Sequence, residues 1–283
     1  MALIADDMAI LPRLAGETWR VPVSGGTLAV EVAGHGQPLL FIHGWTLDRR
    51  AWTPQVDALP GNVQSILFDR RGCGQSDAPA SLEHEPEDVA ALLARRWPGD
   101  VVIVAMSQGV RVALAFAMRH PERVRGLVLQ GPPLLFPEAD DGGPRAASIC
   151  ELDALAREMR WMELAEALRR NPLFCLPGGE GRALRDAMLG DYRARDLLSA
   201  GRPLHLSPDE IAGIRAPTLL ICGEHEVDER KRSARWLKGL LADAEQREIR
   251  GGGHLCNLCS PAAYNAVLAD FLAHIGDIPR RDS

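Results

Sequence analysis

Three short stretches of this chain carry side chains that could together perform acyl transfer. The first is Ala105-Met106-Ser107-Gln108-Gly109. A serine held on a sharp strand-to-helix turn projects its hydroxyl clear of the backbone, and such a turn needs small residues two positions before and two after. Ala105 and Gly109 meet that demand. Taken alone, the pattern also suits a serine that merely caps a helix. A hydroxyl is a poor nucleophile until a base removes its proton, so a histidine is required further along the chain. Gly251-Gly252-Gly253-His254 supplies one, on a stretch where three glycines let the backbone approach closely. The third requirement is a carboxylate that holds the imidazole tautomer and stabilises its protonated form. Gly223-Glu224-His225-Glu226-Val227-Asp228 offers Glu224, Glu226 and Asp228, and each satisfies the order serine, acid, histidine.

These stretches need elements that bring them together. TWRVPV (18–23) and TLAVEVA (27–33) are rich in strand formers and flank the turn signal Ser24-Gly25-Gly26, which predicts an antiparallel hairpin. Continuous apolar runs follow: PLLFI (38–42), VQSILF (63–68), VVIVA (101–105), GLVLQ (126–130) and PTLLIC (217–222). Unbroken apolarity is what a strand buried on both faces requires, so these runs predict a mostly parallel central sheet. QREIR (246–250) is read as a last strand before His254. Residues 86–97 and 107–120 have helical patterning, and strand alternating with helix predicts an α/β sheet covered on both faces.

The alternation breaks between the runs ending at 130 and beginning at 217. Residues 132–215 hold helix signatures only, among them a capping-box pattern Ser148-x-x-Glu151 ahead of an apolar stripe of Leu152, Leu155, Met159 and Met162. The expected organisation is a core domain of residues 1–131 and 216–283 with an inserted helical lid at 132–215.

Composition excludes several classes. The 283 residues are 46% hydrophobic and 25% charged with a formal net charge of -6, and the interspersed signs argue against a nucleic-acid partner. No apolar run reaches the roughly 18 residues of a membrane span. The opening MALIADDMAILPRL carries Asp6 and Asp7 where a secretory signal would be basic, so a cytoplasmic protein is expected. Six cysteines are too sparse for a disulfide framework. Cys256 and Cys259 have the CxxC spacing of half a zinc site, but no second CxxC or HxxxH accompanies them, so no metal is expected.

From about Gly36 to Leu272 the chain resembles the α/β-hydrolase superfamily, on the serine turn, the late Gly-Gly-Gly-His254 and the acid-bearing turn between them. In that family the acid ends a GxxD turn. The resemblance therefore assigns the role to Glu226, with Asp228 as the alternative, because the family usually has the shorter aspartate. His43-Gly44-Trp45 is similar to the family's HGx turn, which implies an oxyanion hole formed by the backbone N–H groups of Trp45 and Gln108, with His43 anchoring the loop. Asp69-Arg70-Arg71-Gly72-Cys73-Gly74-Gln75-Ser76-Asp77 resembles a scaffold turn of the family, with an ion pair internal to it. The stretch HGWTLDRRAWTPQVDAL (43–59) followed by the DRRGCGQSD turn (69–77) resembles the branch containing small esterases, enol-lactonases and cofactor-free haloperoxidases or perhydrolases. Thr46, Ala105 and Val110 depart from that branch and argue against peroxidase-type chemistry. The resemblance implies a serine hydrolase that needs no cofactor and cleaves a small ester or lactone. Carbon-carbon bond hydrolysis of a diketone or dienoic acid is the neighbouring reading, and a non-catalytic receptor on the same fold is the competing class.

Overall fold

The computed structural model describes residues 16–133, 144–199, 204 and 206–276. The opening segment read above for a secretory signal lies outside the described residues, as do parts of the 132–215 insertion and the last seven residues.

Eight strands form one sheet in the order β1-β2-β4-β3-β5-β6-β7-β8. They are β1 (Glu17–Val23), β2 (Gly26–Gly34), β3 (Gln37–Ile42), β4 (Val63–Phe68), β5 (Val101–Met106), β6 (Val124–Gln130), β7 (Thr218–Gly223) and β8 (Ala244–Ile249). The opening hairpin is antiparallel, β2 also runs antiparallel to β4, and from β4 to β8 every pairing is parallel. Every residue of β5 and β7 is buried, as their unbroken apolar runs require. Alternation divides β5 between two cores: Val101, Ile103 and Ala105 face one side of the sheet, Val102 and Val104 the other. The edge strand β8 carries exposed Arg247 and Glu248, charges that discourage pairing with another chain.

Ten α-helices complete the described chain: α1 (Thr53–Val56), α2 (Glu85–Arg96), α3 (Gln108–Arg119), α4 (Pro144–Arg157), α5 (Trp161–Arg170), α6 (Arg182–Asp191), α7 (Pro208–Ala212), α8 (Asp228–Leu240), α9 (Cys256–Cys259) and α10 (Pro261–Gly276). Helices α2 and α3 pack on one face of the sheet, and α10 covers the other with Leu268 and Phe271. In α2, Glu85, Glu87 and Asp88 sit in the first turn and Arg95 and Arg96 in the last, which complements the helix dipole.

Between β6 and β7 the described residues form helices and no strand. The capping-box expectation fails there. Helix α4 begins at Pro144, so Ser148 lies inside it rather than at its start; proline suits a first helical position because its missing N–H would have no partner there. The expected apolar stripe also divides. Leu152 is buried, but α4 ends at Arg157, Met159 takes a φ of 55°, and Met159 and Met162 are 69% and 84% exposed. Helix α5 buries Leu164, Ala165 and Leu168 instead. No helix among the described residues is long and apolar enough to cross a membrane.

Candidate active site

Ser107 stands between the end of β5 and the first residue of α3, with φ 50° and ψ -122°. Positive φ at a non-glycine residue costs roughly 1–3 kcal/mol and persists only where the surroundings impose it. They do so here: the Ser107 N–H donates to the Gln130 carbonyl at 2.8 Å, and its carbonyl accepts the Val110 N–H at 2.9 Å. The need for a small residue at position 109 is steric, since a Cβ there would lie 2.7 Å from the His43 carbonyl oxygen and 2.8 Å from that of Ile42.

His254 follows β8 on the glycine loop. A Cβ on Gly223 would meet the carbonyl oxygens of Gly252 and Gly253, each at 2.3 Å, so the ends of β7 and β8 touch through bare backbone. The acid-bearing turn leaves β7 at the same point. Glu226 Oε2 lies 2.7 Å from His254 Nδ1, and Glu226 Oε1 accepts the Val227 N–H at 2.9 Å, so both carboxylate oxygens are engaged in a buried setting. Because a carboxylate only accepts, the imidazole proton sits on Nδ1 and the Nε2 lone pair is left for another partner. Asp228 is exposed as the first residue of α8, and Glu224 accepts the Gly251 N–H at 2.8 Å, which braces the glycine loop. The Gly251 N–H bond holds the Glu224 carboxyl below its ordinary value.

Ser107 and His254 line one small cavity of about 10 Å³, closed by Trp45, Leu47, Leu173 and Phe174. On its other side Ser107 opens, with Trp45 and Gln108, onto a cavity of about 740 Å³. Gln108 is the first residue of α3, so its N–H is one of those without an intrahelical acceptor. The Trp45 ring lies 6.3 Å from that of Phe174, which ties the HGx turn to the helical insertion. The ring of His43 holds that turn from beneath. Its Nε2 accepts the Arg70 N–H at 2.9 Å, so Nδ1 carries the proton and donates to the Gly44 carbonyl at 2.9 Å. Burial, and then the Arg70 charge, push its pKa down to about 3, which keeps it neutral.

The loop after β4 differs from expectation in its ion pairs, which reach outward instead of closing within it. Arg70 clasps Glu85 of α2 at 2.6 and 3.0 Å, Arg71 clasps Asp88, and Asp69 pairs with Arg49. The cause is burial: a buried guanidinium needs a carboxylate placed to match its fork, and the first turn of α2 presents two. Arg70 and Arg71 also line the larger cavity.

Gly131, which sequence reasoning passed over, belongs to the site. It has φ 52°, and a Cβ on it would stand 2.7 Å from both Nδ1 and Cε1 of His254 and 2.9 Å from Glu226 Oε2. Its one signal in the sequence is a glycine directly after a buried strand. Cys259 Sγ accepts the Gly253 N–H at 3.4 Å, so the Cys256–Cys259 stretch packs under the histidine loop.

A β-sheet of this order, with a serine on a strained turn and a histidine-carboxylate pair at the same sheet end, defines the α/β-hydrolase class. Residues 39–267 match the Alpha/beta hydrolase family, and the chain belongs to it. It is 28% identical over 251 residues to the pimeloyl-(acyl-carrier protein) methyl ester esterase of Chromobacterium violaceum, an alignment covering 87% of this chain and 98% of that protein. Among solved structures, the esterase RhEst1 from Rhodococcus sp. ECU1013 superposes with a TM-score of 0.78 at 21% identity, covering 93% of this chain and all of that one. The enol-lactonase from Burkholderia xenovorans LB400 superposes with a TM-score of 0.73 at 23% identity, covering 90% and 99% of the two chains.

Proposed function

We propose that this protein is a serine hydrolase that cleaves a small carboxylic ester or lactone through an acyl-Ser107 intermediate. One observation carries the reading: His254, 2.7 Å from Glu226, lines a cavity together with a serine on a strained strand-to-helix turn. In this reading Nε2 of His254 takes the Ser107 proton as Oγ attacks the substrate carbonyl. Glu226 stabilises the imidazolium that forms. The backbone N–H groups of Trp45 and Gln108 receive the oxyanion, a contribution of roughly 3–4 kcal/mol for a single donor. His254 then protonates the leaving oxygen, and water, activated by the same imidazole, releases the acid. The similarity to a protein named as a methyl ester esterase supports ester chemistry.

Residues 132–215 serve in this reading as a lid over the core. Ile149, Leu152, Leu173 and Leu197 of that segment line the larger cavity, and Arg195 ties it to the core by donating to the carbonyls of Ser76 at 2.8 Å and Gly74 at 2.7 Å. A panel of p-nitrophenyl esters of graded acyl length, run on wild type and Ser107→Ala with fluorophosphonate labelling in parallel, tests the proposal. Turnover and labelling that both vanish in Ser107→Ala are expected. Wild-type protein that is neither labelled nor active would favour the receptor reading.

A further inference from the structure

The polar residue at the end of β6 has no role in the chemistry described so far. Gln130 closes the strand after the apolar run Leu127-Val128-Leu129 and is 0% exposed. Its backbone carbonyl accepts the Ser107 N–H at 2.8 Å. Its side-chain Nε2 donates to the backbone carbonyl of His254 at 2.8 Å and to Asn257 Oδ1 at 3.0 Å. One residue is therefore bonded directly to the backbones of both Ser107 and His254.

The side chain cannot choose another orientation. Both amide hydrogens are spent, and Asn257 is itself fixed, donating to the Ala51 carbonyl at 2.8 Å and to Gln55 Oε1 at 3.3 Å. Gln55 in turn donates to the Asn257 carbonyl at 2.9 Å and to Asn265 Oδ1 at 3.1 Å. Gln130, Asn257 and Gln55 are each 0% exposed, so water does not compete for these bonds. The arrangement also carries a penalty, because Gln130 Oε1 is buried without a hydrogen-bond partner. A leucine or methionine would avoid that penalty, so the amide is retained for what its N–H groups hold.

We infer that Gln130 is a positioning residue that sets the separation of the Ser107 hydroxyl and the His254 imidazole. The inference rests on the reading of those two residues given under Proposed function. Glu226 fixes the ring of His254 at Nδ1, Gly131 leaves room for it, and Gln130 fixes the backbone from which it hangs. With the ring held at one end only, the imidazole pivots about the Glu226 contact and Nε2 moves relative to Oγ.

The test compares Gln130→Met, which keeps length and loses the donors, with Gln130→Glu in the full chain. Burial raises a carboxyl pKa, so the introduced acid stays protonated and keeps one donor for the His254 carbonyl. For p-nitrophenyl acetate, Gln130→Met is expected to lower kcat about 10- to 100-fold with KM changed less than about threefold, since a displacement near 1 Å costs on that order. Gln130→Glu is expected to recover most of that loss. The His254 Nδ1–H proton resonance should shift in Gln130→Met and return in Gln130→Glu. A folded Gln130→Met with wild-type kcat and an unmoved resonance overturns the inference, as does a loss matched by an equal loss of fluorophosphonate-titratable sites. If Gln130→Met does not fold, Asn257→Ser decides through the same readouts: a severalfold lower kcat at constant KM supports the inference, and an unchanged kcat overturns it. Wild-type protein inert to fluorophosphonate would sink the serine reading and this inference together, whereas a reactive wild type whose labelling rate constant and kcat are both matched by Gln130→Met sinks the inference alone.

Discussion

Replacing Gly131 with alanine should lower both activity and stability. The added Cβ would sit 2.7 Å from Nδ1 and Cε1 of His254, which is at least roughly 0.8 Å inside the optimal separation of non-bonded atoms. On the other side of the ring pair, the Glu226 carboxylate oxygen would be 2.9 Å away. The backbone cannot absorb the overlap cheaply, because Gly131 N–H donates to the Ile221 carbonyl at 2.9 Å and its neighbour Gln130 is bonded to Ser107 and His254. The imidazole must therefore move by most of the overlap. A misplacement near 1 Å costs on the order of 100-fold, so kcat should fall roughly 30- to 100-fold. Stability loses roughly 1–2 kcal/mol for a left-handed alanine and roughly 1–3 kcal/mol for overpacking. Stopped-flow p-nitrophenyl acetate hydrolysis with active-site titration measures the first effect, and thermal unfolding the second. Gly239→Ala in α8 is the control: nothing lies within 4 Å of its added Cβ, so activity should be unchanged and stability equal or slightly higher. A folded Gly131→Ala that turns over within threefold of wild type would refute the reasoning, since it would mean that the His254–Glu226 geometry does not limit the rate.

Glu226→Gln should reduce kcat by about 10³- to 10⁴-fold, the scale seen when a triad acid is neutralised, and exposed Asp228→Asn should leave kcat within about twofold; steady-state kinetics of the two variants check this. Neutral, buried His43 should make the fold sensitive to acid. Its folded pKa, about 3, lies below its ordinary 6.5, so the unfolded chain binds the extra proton; the His43 contribution is complete above about pH 6.5 and is lost as pH falls toward about 3. Asp69, raised by burial to about 6, acts in the opposite sense, so the diagnostic is a shallower loss of urea stability between pH 7 and pH 5 in His43→Gln than in wild type. Glu85→Gln should cost about 3–5 kcal/mol in chemical denaturation, because it leaves the buried Arg70 guanidinium without its carboxylate.

The sheet was legible because burial on both faces writes itself as continuous apolarity: each run read as a strand lies within two residues of an observed one. The turn bearing Ser107 was legible for a different reason. Its crowding by the His43 and Ile42 carbonyls admits only glycine at 109, and a steric demand on residue type survives in the sequence. The insertion was read less well. Ser148-x-x-Glu151 has the composition of a cap, but a proline four residues earlier starts the helix first, and the stripe through Met159 and Met162 ignored the break at Met159. Local pattern does not tell where one helix stops and its neighbour begins. Gln130 and Gly131 were hidden because their significance is wholly non-local: they act on Ser107, Glu226 and His254, which come from three other parts of the chain.

Glutamate at 226 follows from the same geometry. Val227 N–H binds Oε1 of Glu226 at 2.9 Å, so the carboxylate folds back on the residue after it and still presents Oε2 to His254 at 2.7 Å. An aspartate, one methylene shorter, would have to give up one of these bonds or draw the turn inward. The turn is not free to move inward, since Gly223 already touches the Gly252 and Gly253 carbonyls and His225 N–H donates to the Gly252 carbonyl at 2.7 Å. Glu226→Asp should therefore lose activity although it preserves charge, with kcat reduced by about 10- to 100-fold on the same positional grounds as above. If Glu226→Asp were as fast as wild type, the turn would have to be more compliant than its contacts with the histidine loop allow, and the account of why this chain carries a glutamate would fail.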